Sequence, residues 1–363
     1  MIEKSISIVG VGKLGLCLAL NLERNGYNVI GVDISDSYIK ELNSKTFYSS
    51  EPYVNEFLKE SKNIEFTTDL KKSLQSDVIF IVVKTPSTHD WKYDHTQIND
   101  IANKLISFGK QDKRKDIVIN CTTFPKYCED LNERLKQYNY YVSYNPEFIA
   151  QGTIINDQIN ADTVLIGEAD EYAGNLIETI HLSFCKNNPS VHKMSRTEAE
   201  LTKLSVNCFL TTKISYANMI GDIALEYQCD PSVILNAIGS DSRIGNKYLK
   251  HGYGFGGPCF PRDNRALAKC ADEVGVDAVI SKATDEYNKL HLNYQVSYYT
   301  KSFSDKSKNV VFDFVTYKKE STLLEESQQL KFAQELKKLG YTIEVKDDRK
   351  EVIDNIKYLI SNL

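Results

Sequence analysis

Six residues, Gly10-Val11-Gly12-Lys13-Leu14-Gly15, restrict the fold of this chain more than any other stretch. They fit the spacing G-x-G-x-x-G between an apolar run, residues 5–9 (SISIV), and an amphipathic stretch, residues 13–25. A second apolar run, residues 28–32, follows and ends at Asp33. Strand, glycine turn, helix and strand in this order begin a doubly wound α/β sheet that binds a dinucleotide. Gly10 permits the tight turn, Gly12 lets the backbone approach a pyrophosphate, and Gly15 allows the helix to pack closely on the strand. Asp33 is placed to accept hydrogen bonds from a ribose diol. Its charge repels a 2′-phosphate, which favours NAD over NADP.

Further short apolar runs occur at 77–83, 116–121, 140–144 and 163–167, with helical segments between several of them. This alternation predicts a parallel sheet covered on both faces. The pattern changes near Ser195. Residues 197–227 keep helical periodicity without a proline, and Gly221 is their only glycine. They predict one long helix. Asp230-Pro231 then reads as an N-cap followed by proline at the first helical position. A further helix is predicted over 277–302. After a polar link, 310–315 and 341–345 read as strands and 325–339 as a helix ending at Gly340, the beginning of a second βαβ unit too short for a complete domain. The expected organisation is a Rossmann-type NAD-binding domain (1–194), a central helical dimerisation and substrate domain (195–303), and a short C-terminal α/β domain (304–363).

The net charge is −5, so nothing marks a surface for nucleic acid or an anionic membrane. No apolar run is long enough to span a bilayer. The first residues lead directly into a strand, which argues against a signal peptide and for a cytoplasmic enzyme. The eight cysteines are scattered without a CxxC pair. They are expected to be reduced thiols, with no metal centre.

Cys259 stands apart from the others. It lies in a glycine-rich loop, GYGFGGPCFPRDNRAL over 252–267, just before a predicted helix and four residues before Asp263. Glycines let the backbone approach a ligand, and a helix start favours thiolate. A thiol together with a nicotinamide cofactor is the equipment for oxidising an aldehyde through a thioester.

Over roughly residues 5–330 the chain resembles the UDP-glucose/GDP-mannose dehydrogenase family. The resemblance rests on GVGKLG with GVD, Val83-Lys84-Thr85-Pro86, Thr122-Thr123-Phe124-Pro125, Tyr144-Asn145-Pro146-Glu147-Phe148, Ala199-Glu200-Leu201-Thr202-Lys203 with Asn207, Arg243-Ile244-Gly245 and the Cys259 loop. It implies a homodimer that uses NAD to oxidise the C6 alcohol of a nucleotide sugar to the acid by two hydride transfers, with UDP-glucose the expected substrate. By the same resemblance, Cys259 is the nucleophile. Lys203 and Asn207, one helical turn apart, stabilise the oxyanion, and Asp263 tunes the lysine. Glu147 is the base for thioester hydrolysis, and Thr123 helps hold the water and cofactor. Val11, Lys13, Leu14, Thr85, Pro86, Gln151 and Arg262 join the glycines and Asp33 around NAD. Phe148, Lys250, Tyr253, Phe255, Gly256 and Gly257 line the substrate with Tyr317 and Lys318, and Arg243 reaches the substrate of the neighbouring subunit.

Three departures qualify this picture. Gln151 stands where the family commonly carries a second glutamate, so hydrogen bonding remains but charge is lost. Glu325 replaces an arginine near the cofactor. The C-terminal domain is short. Competing expectations are the same chemistry on GDP-mannose or a UDP-hexosamine, a two-electron hydroxyacid dehydrogenase that needs no cysteine, and a non-catalytic or partner-dependent NAD-binding homologue.

Overall fold

A computed structural model describes residues 5–361. The chain divides into two compact units, 1–203 and 204–363. In the first, eight strands form one sheet in the order β3-β2-β1-β4-β5-β6-β7-β8. They are β1 (Ser5–Val9), β2 (Asn28–Val32), β3 (Ile64–Thr67), β4 (Val78–Ile81), β5 (Lys115–Ile119), β6 (Tyr140–Tyr144), β7 (Thr163–Gly167) and β8 (Ser190–Met194). The first six run parallel, and their order reverses between β1 and β4. That switch point opens the crevice in which a dinucleotide lies.

The sheet is not wholly parallel, contrary to what the apolar runs suggest. β7 meets β6 antiparallel, with Tyr144 opposite Gly167, and β8 runs parallel to β7. A buried apolar strand reads the same in either direction, so its polarity is set by the connection and not by its composition.

Successive side chains of β4 show why the strands are apolar throughout. Val78 and Phe80 join the core on one face, and Ile79 and Ile81 the core on the other. The first face is covered by Leu16, Leu18 and Leu20 of the helix Lys13–Arg24 and by Ile177 and Ile180 of the helix Glu171–Phe184. The second face takes Ile98 and Leu105 from Thr96–Ser107, and Leu131 and Leu135 from Tyr127–Leu135. Each such side chain, fully removed from water, contributes about 1.5–3 kcal/mol.

The long helix Arg196–Glu226 matches the predicted stretch within a residue at each end. Asp230 caps the next helix, Pro231–Gly239, by accepting the Ser232 N–H at 2.8 Å, with Pro231 in its first turn. Phe260–Glu273 and Val279–Ser302 follow. Near the C-terminus β9 (Val310–Phe312) and β10 (Ile343–Val345) pair parallel around the helix Gln328–Lys338. Val310, Phe312, Leu330, Phe332, Leu336 and Tyr341 form their core. This helix starts three residues later than the periodicity suggests. Ser327 caps it, accepting the Leu330 N–H, and Glu326 just before it has a positive φ. No helix among the described residues is long and apolar enough to cross a membrane. The expectation about the first four residues falls outside the described residues.

Candidate active site

The glycine turn after β1 is built as its spacing requires. Gly10 has φ +96° and donates its N–H to the Val32 carbonyl at 2.8 Å. A Cβ there would overlap the Val82 carbonyl oxygen, and one at Gly15 would overlap the Gly10 carbonyl oxygen. At Gly12 a Cβ would meet nothing within 4 Å. Gly12 is also the N-cap of the helix Lys13–Arg24, with no side-chain cap and no acidic residue in the first turn. The first N–H groups are thus left for an anion at the positive end of the helix dipole, an arrangement that fits a pyrophosphate.

Val11 turns its side chain into the core and offers its carbonyl to the Tyr38 hydroxyl at 2.8 Å. Lys13 is exposed and Leu14 half-buried. Asp33 follows β2 directly, and its Oδ1 accepts the Ser35 N–H at 3.2 Å. The Thr85 hydroxyl donates to the Thr122 carbonyl at 2.8 Å, tying together the loops after β4 and β5, with Pro86 exposed beside it. Gln151 is half-buried in the turn before Gly152, whose N–H is held by the Glu51 carboxylate at 2.7 Å.

Beyond β6 the chain places Glu147 next to a cavity of about 140 Å³ lined also by Asn145, Asp157, Gln158, Asp162 and His181. Asn145 is buried. It donates to the Leu165 carbonyl at 2.9 Å, and its own carbonyl accepts from Asn120 at 2.6 Å, so the Asn-Pro-Glu turn is rigidly held. Burial of the Glu147 carboxyl pushes its pKa up from 4.5 to about 7, against the opposing pulls of Gln158, Lys203 and Asn120. Gln158 donates to its Oε1 at 3.2 Å. A carboxylate poised near neutrality suits general acid–base work.

Lys203 is buried. Its Nζ donates to the Glu147 main-chain oxygen at 2.7 Å and lies 4.2 Å from the centre of the Phe148 ring. Thr123 is fully buried and donates to Glu200 Oε1 at 2.7 Å. Glu200 also accepts the N–H groups of Lys126 (2.7 Å) and Cys128 (2.9 Å). Sequence reasoning misses Glu200 as a functional residue. It sits about one turn before Lys203 on a helix with an ordinary amphipathic pattern, and only the fold brings it to the Thr123 loop.

A pH dependence follows from Glu147. A carboxyl whose pKa rises on folding stabilises the folded state below its unfolded value, and that contribution fades as pH climbs through the folded value. Between pH 4.5 and about 7 the wild type is therefore expected to lose up to about 3 kcal/mol relative to Glu147→Gln. Urea titrations of both proteins across this range measure the difference, and parallel pH curves would contradict the assignment.

In the second unit Cys259 is the N-cap of the helix Phe260–Glu273, and it is exposed. Cys208 and Cys270 show the contrast: one is buried, with its thiol pushed well up by burial, and the other is half-buried. Cys229 is the other exposed cysteine among the described residues, and it lies just beyond the end of the long helix. Asp263 is wholly buried in the first turn after Cys259. Its Oδ2 accepts from Asn207 at 2.6 Å and its Oδ1 from Arg262 Nε at 2.8 Å. Asn207 and Asp263, predicted from separate motifs, thus form one pair, and Arg262 grips the same carboxylate.

The glycine loop is held by its backbone. Asn288 clamps both the N–H and the carbonyl of Phe255 at 2.9 Å, and Asn218 accepts the Gly252 N–H at 3.0 Å. Phe255 is buried, whereas Lys250 and Tyr253 are exposed. Gly257, at φ +80°, carries the Tyr317 ring, which a Cβ would approach to 2.6 Å. Its N–H donates to the Glu325 carbonyl at 3.0 Å, and a Cβ on Gly256 would lie 2.5 Å from the Glu326 carbonyl oxygen. The segment carrying Tyr317 and Lys318 therefore presses on the loop beside Cys259. Glu326 pairs with Arg265 at 2.9 Å and with Lys331, which anchors that segment. Arg243 is exposed and paired with Asp241 at 2.6 Å.

Residues 4–185 match the NAD binding domain of the UDP-glucose/GDP-mannose dehydrogenase family, and residues 197–290 match its central domain. The UDP-glucose 6-dehydrogenase YwqF of Bacillus subtilis is 32% identical over 294 residues, which cover 78% of this chain and 66% of that protein. A UDP-glucose 6-dehydrogenase of Pseudomonas aeruginosa is 31% identical over 296 residues, 78% of this chain and 65% of its own. The chain thus spans just under two thirds of the length of these relatives. The solved structure of a UDP-glucose dehydrogenase from the archaeon Pyrobaculum islandicum superimposes with a TM-score of 0.88 at 26% identity, covering 99% of this chain and 84% of that one. NAD is the cofactor that the first unit holds, and the chain belongs to the UDP-glucose/GDP-mannose dehydrogenase family.

Proposed function

We propose that this protein is an NAD-dependent nucleotide-sugar 6-dehydrogenase that oxidises UDP-glucose to UDP-glucuronate in two two-electron steps. The observation that carries the reading is Cys259, an exposed thiol at a helix N-terminus inside a glycine loop. It occurs in a chain whose first unit presents an uncapped dinucleotide-binding helix. Bound NAD takes up one hydride in each oxidation.

The chain's residues do the rest. In the first oxidation the C6 alcohol gives its hydride to the cofactor and its hydroxyl proton to water and becomes an aldehyde. Lys203 and Asn207 stabilise the developing oxyanion. Asp263, pinned by Asn207 and Arg262, fixes the amide of Asn207. The Cys259 thiolate then adds to the aldehyde, forming a C–S bond. Loss of the second hydride gives a thioester. Glu147 takes a proton from water, which attacks the thioester; the C–S bond breaks, and the acid and the thiol are released. Thr123, oriented by Glu200, helps place that water.

The same reading assigns three functional parts: 1–194 for cofactor, 195–303 for dimerisation and substrate, and 304–363 for the nucleotide. The homodimer is supported by the long helix. Phe209, Tyr216 and Ile223 lie seven residues apart and are 66%, 46% and 49% exposed, an apolar stripe that a second copy would cover. Arg243 is then free to exchange Asp241 for the sugar nucleotide of the partner.

The test is NADH formed per sugar consumed, across UDP-glucose, GDP-mannose and UDP-N-acetylhexosamines. Two NADH per UDP-glucose are expected. Two with another donor would move the substrate and keep the chemistry. One NADH would demote Cys259 and point to a simple alcohol dehydrogenase. NAD binding without turnover on any donor would overturn the enzymatic reading.

A further inference from the structure

A second cluster of polar side chains lies in the second unit, outside the residues that the proposed chemistry uses. Asp222 comes from the long helix, His251 opens the glycine loop, and His291 lies on the helix Val279–Ser302. Asp222 and His291 are buried and His251 is half-buried. One ligand atom from each lies within 4.8 Å of the others.

The hydrogen bonding around His291 calls for a positive centre in the cluster. Its Nε2 is 2.7 Å from the Gly252 carbonyl oxygen, and its Nδ1 is 2.7 Å from Asp222 Oδ2. A carbonyl oxygen brings no hydrogen, so Nε2 must carry one. In a neutral ring the lone pair of Nδ1 then faces a carboxylate oxygen, which is repulsive. A positive centre has to lie between them, either a proton or a metal ion. His251 Nε2 stands 3.0 Å from the other carboxylate oxygen, and the Tyr287 hydroxyl donates to Oδ2 at 2.9 Å.

We propose that Asp222, His251 and His291 bind one divalent transition-metal ion of the zinc class. Two imidazoles and one carboxylate are borderline ligands that suit zinc, cobalt or iron rather than calcium or magnesium. The bond from His291 Nε2–H to a backbone carbonyl is the outer contact that fixes a metal-ligating histidine in the right tautomer. Ligand atoms around a tetrahedral zinc stand about 3.3 Å apart, for bonds of about 2.0–2.1 Å. His291 Nδ1 now stands 2.7 Å from one Asp222 oxygen and His251 Nε2 3.0 Å from the other, with the ligand atoms all within 4.8 Å, so the carboxylate has to withdraw and the two imidazoles have to close on the ion. Gly221 supports the same reading. A Cβ there would come within 2.1 Å of His251 Cδ2 and overlap the edge of the ring, so a glycine interrupts a long helix where it makes room for this histidine. A bound ion would tie two helices to the start of the loop that carries Cys259.

The full-length protein, stripped with chelator and titrated with CoCl2, tests this without reference to any sugar substrate. One equivalent is expected, with visible ligand-field bands and no thiolate-to-cobalt band in the near ultraviolet. Zinc should displace it. Cys259→Ser should bind cobalt unchanged, and His291→Gln and His251→Gln should each weaken binding at least about tenfold. Failure of the wild type to retain cobalt would overturn the proposal and leave a proton as the positive centre. This outcome needs no variant to fold. Equal binding by both histidine variants, or a thiolate band, would overturn it as well.

Discussion

Cys259→Ser is expected to abolish net acid formation, by at least about a thousandfold, while NAD affinity and thermal stability stay near wild type. A serine hydroxyl is barely ionised at neutral pH, and the helix N-terminus that favours a thiolate cannot make it an alkoxide. Without the covalent adduct the aldehyde is not held for the second hydride transfer. A slow first oxidation remains, because the side chains proposed to stabilise its oxyanion, Lys203 and Asn207, are unchanged. Cys259 is exposed and the exchange replaces one sulfur by an oxygen, so stability should move by no more than about 0.5 kcal/mol. The measurement is the yield of acid against aldehyde from each substrate consumed, with Cys229→Ser as the exposed-cysteine control. Acid release at the normal rate by Cys259→Ser would sink the thioester route.

The second large effect is on the fold itself. Gly10→Ala should destabilise the first unit by about 3 kcal/mol or more. Part of this is conformational, since an L-residue at φ +96° costs about 1–2 kcal/mol. The rest is steric. The new Cβ would overlap the carbonyl of buried Val82, just past the end of β4, whose own N–H is held by the Val9 carbonyl and which has little room to retreat. Gly12→Ala is the informative partner. Its Cβ meets nothing within 4 Å, so its unfolding midpoint should stay within a few degrees of wild type. It would stand where the pyrophosphate must approach, so NAD affinity should fall about tenfold or more. Thermal unfolding and NAD titration of the two variants separate the roles. Equal stability of Gly10→Ala and wild type would mean that the turn is looser than its geometry implies.

Much of the architecture was legible because it follows local rules. Asp230-Pro231 signalled a helix start that the structure contains, and 197–227 signalled the long helix almost to the residue. β3 and β8 escaped. Ile64–Thr67 is four residues long and carries Glu65, while Ser190–Met194 holds a histidine and a lysine and is largely exposed. Each lies at an edge of the sheet, where one side of the strand needs no partner and the apolar signal fades. The reversal at β7 escaped for a different reason, since strand direction leaves no mark in composition.

The sequence alone determined the dinucleotide turn, the order of helix and strand around it, the long central helix and the loop that presents Cys259. These depend on backbone freedom at glycine, on capping and on periodicity, all of which act over a few residues. Only the tertiary structure decided which polar groups meet. Glu200 reaches Thr123 across 77 positions, Asn207 reaches Asp263 across 56, and His291 reaches Asp222 across 69. It also decided that Glu147 titrates near neutrality. Hydrogen bonds and desolvation depend on distance in space, and separation along the chain says nothing about that until the core has closed.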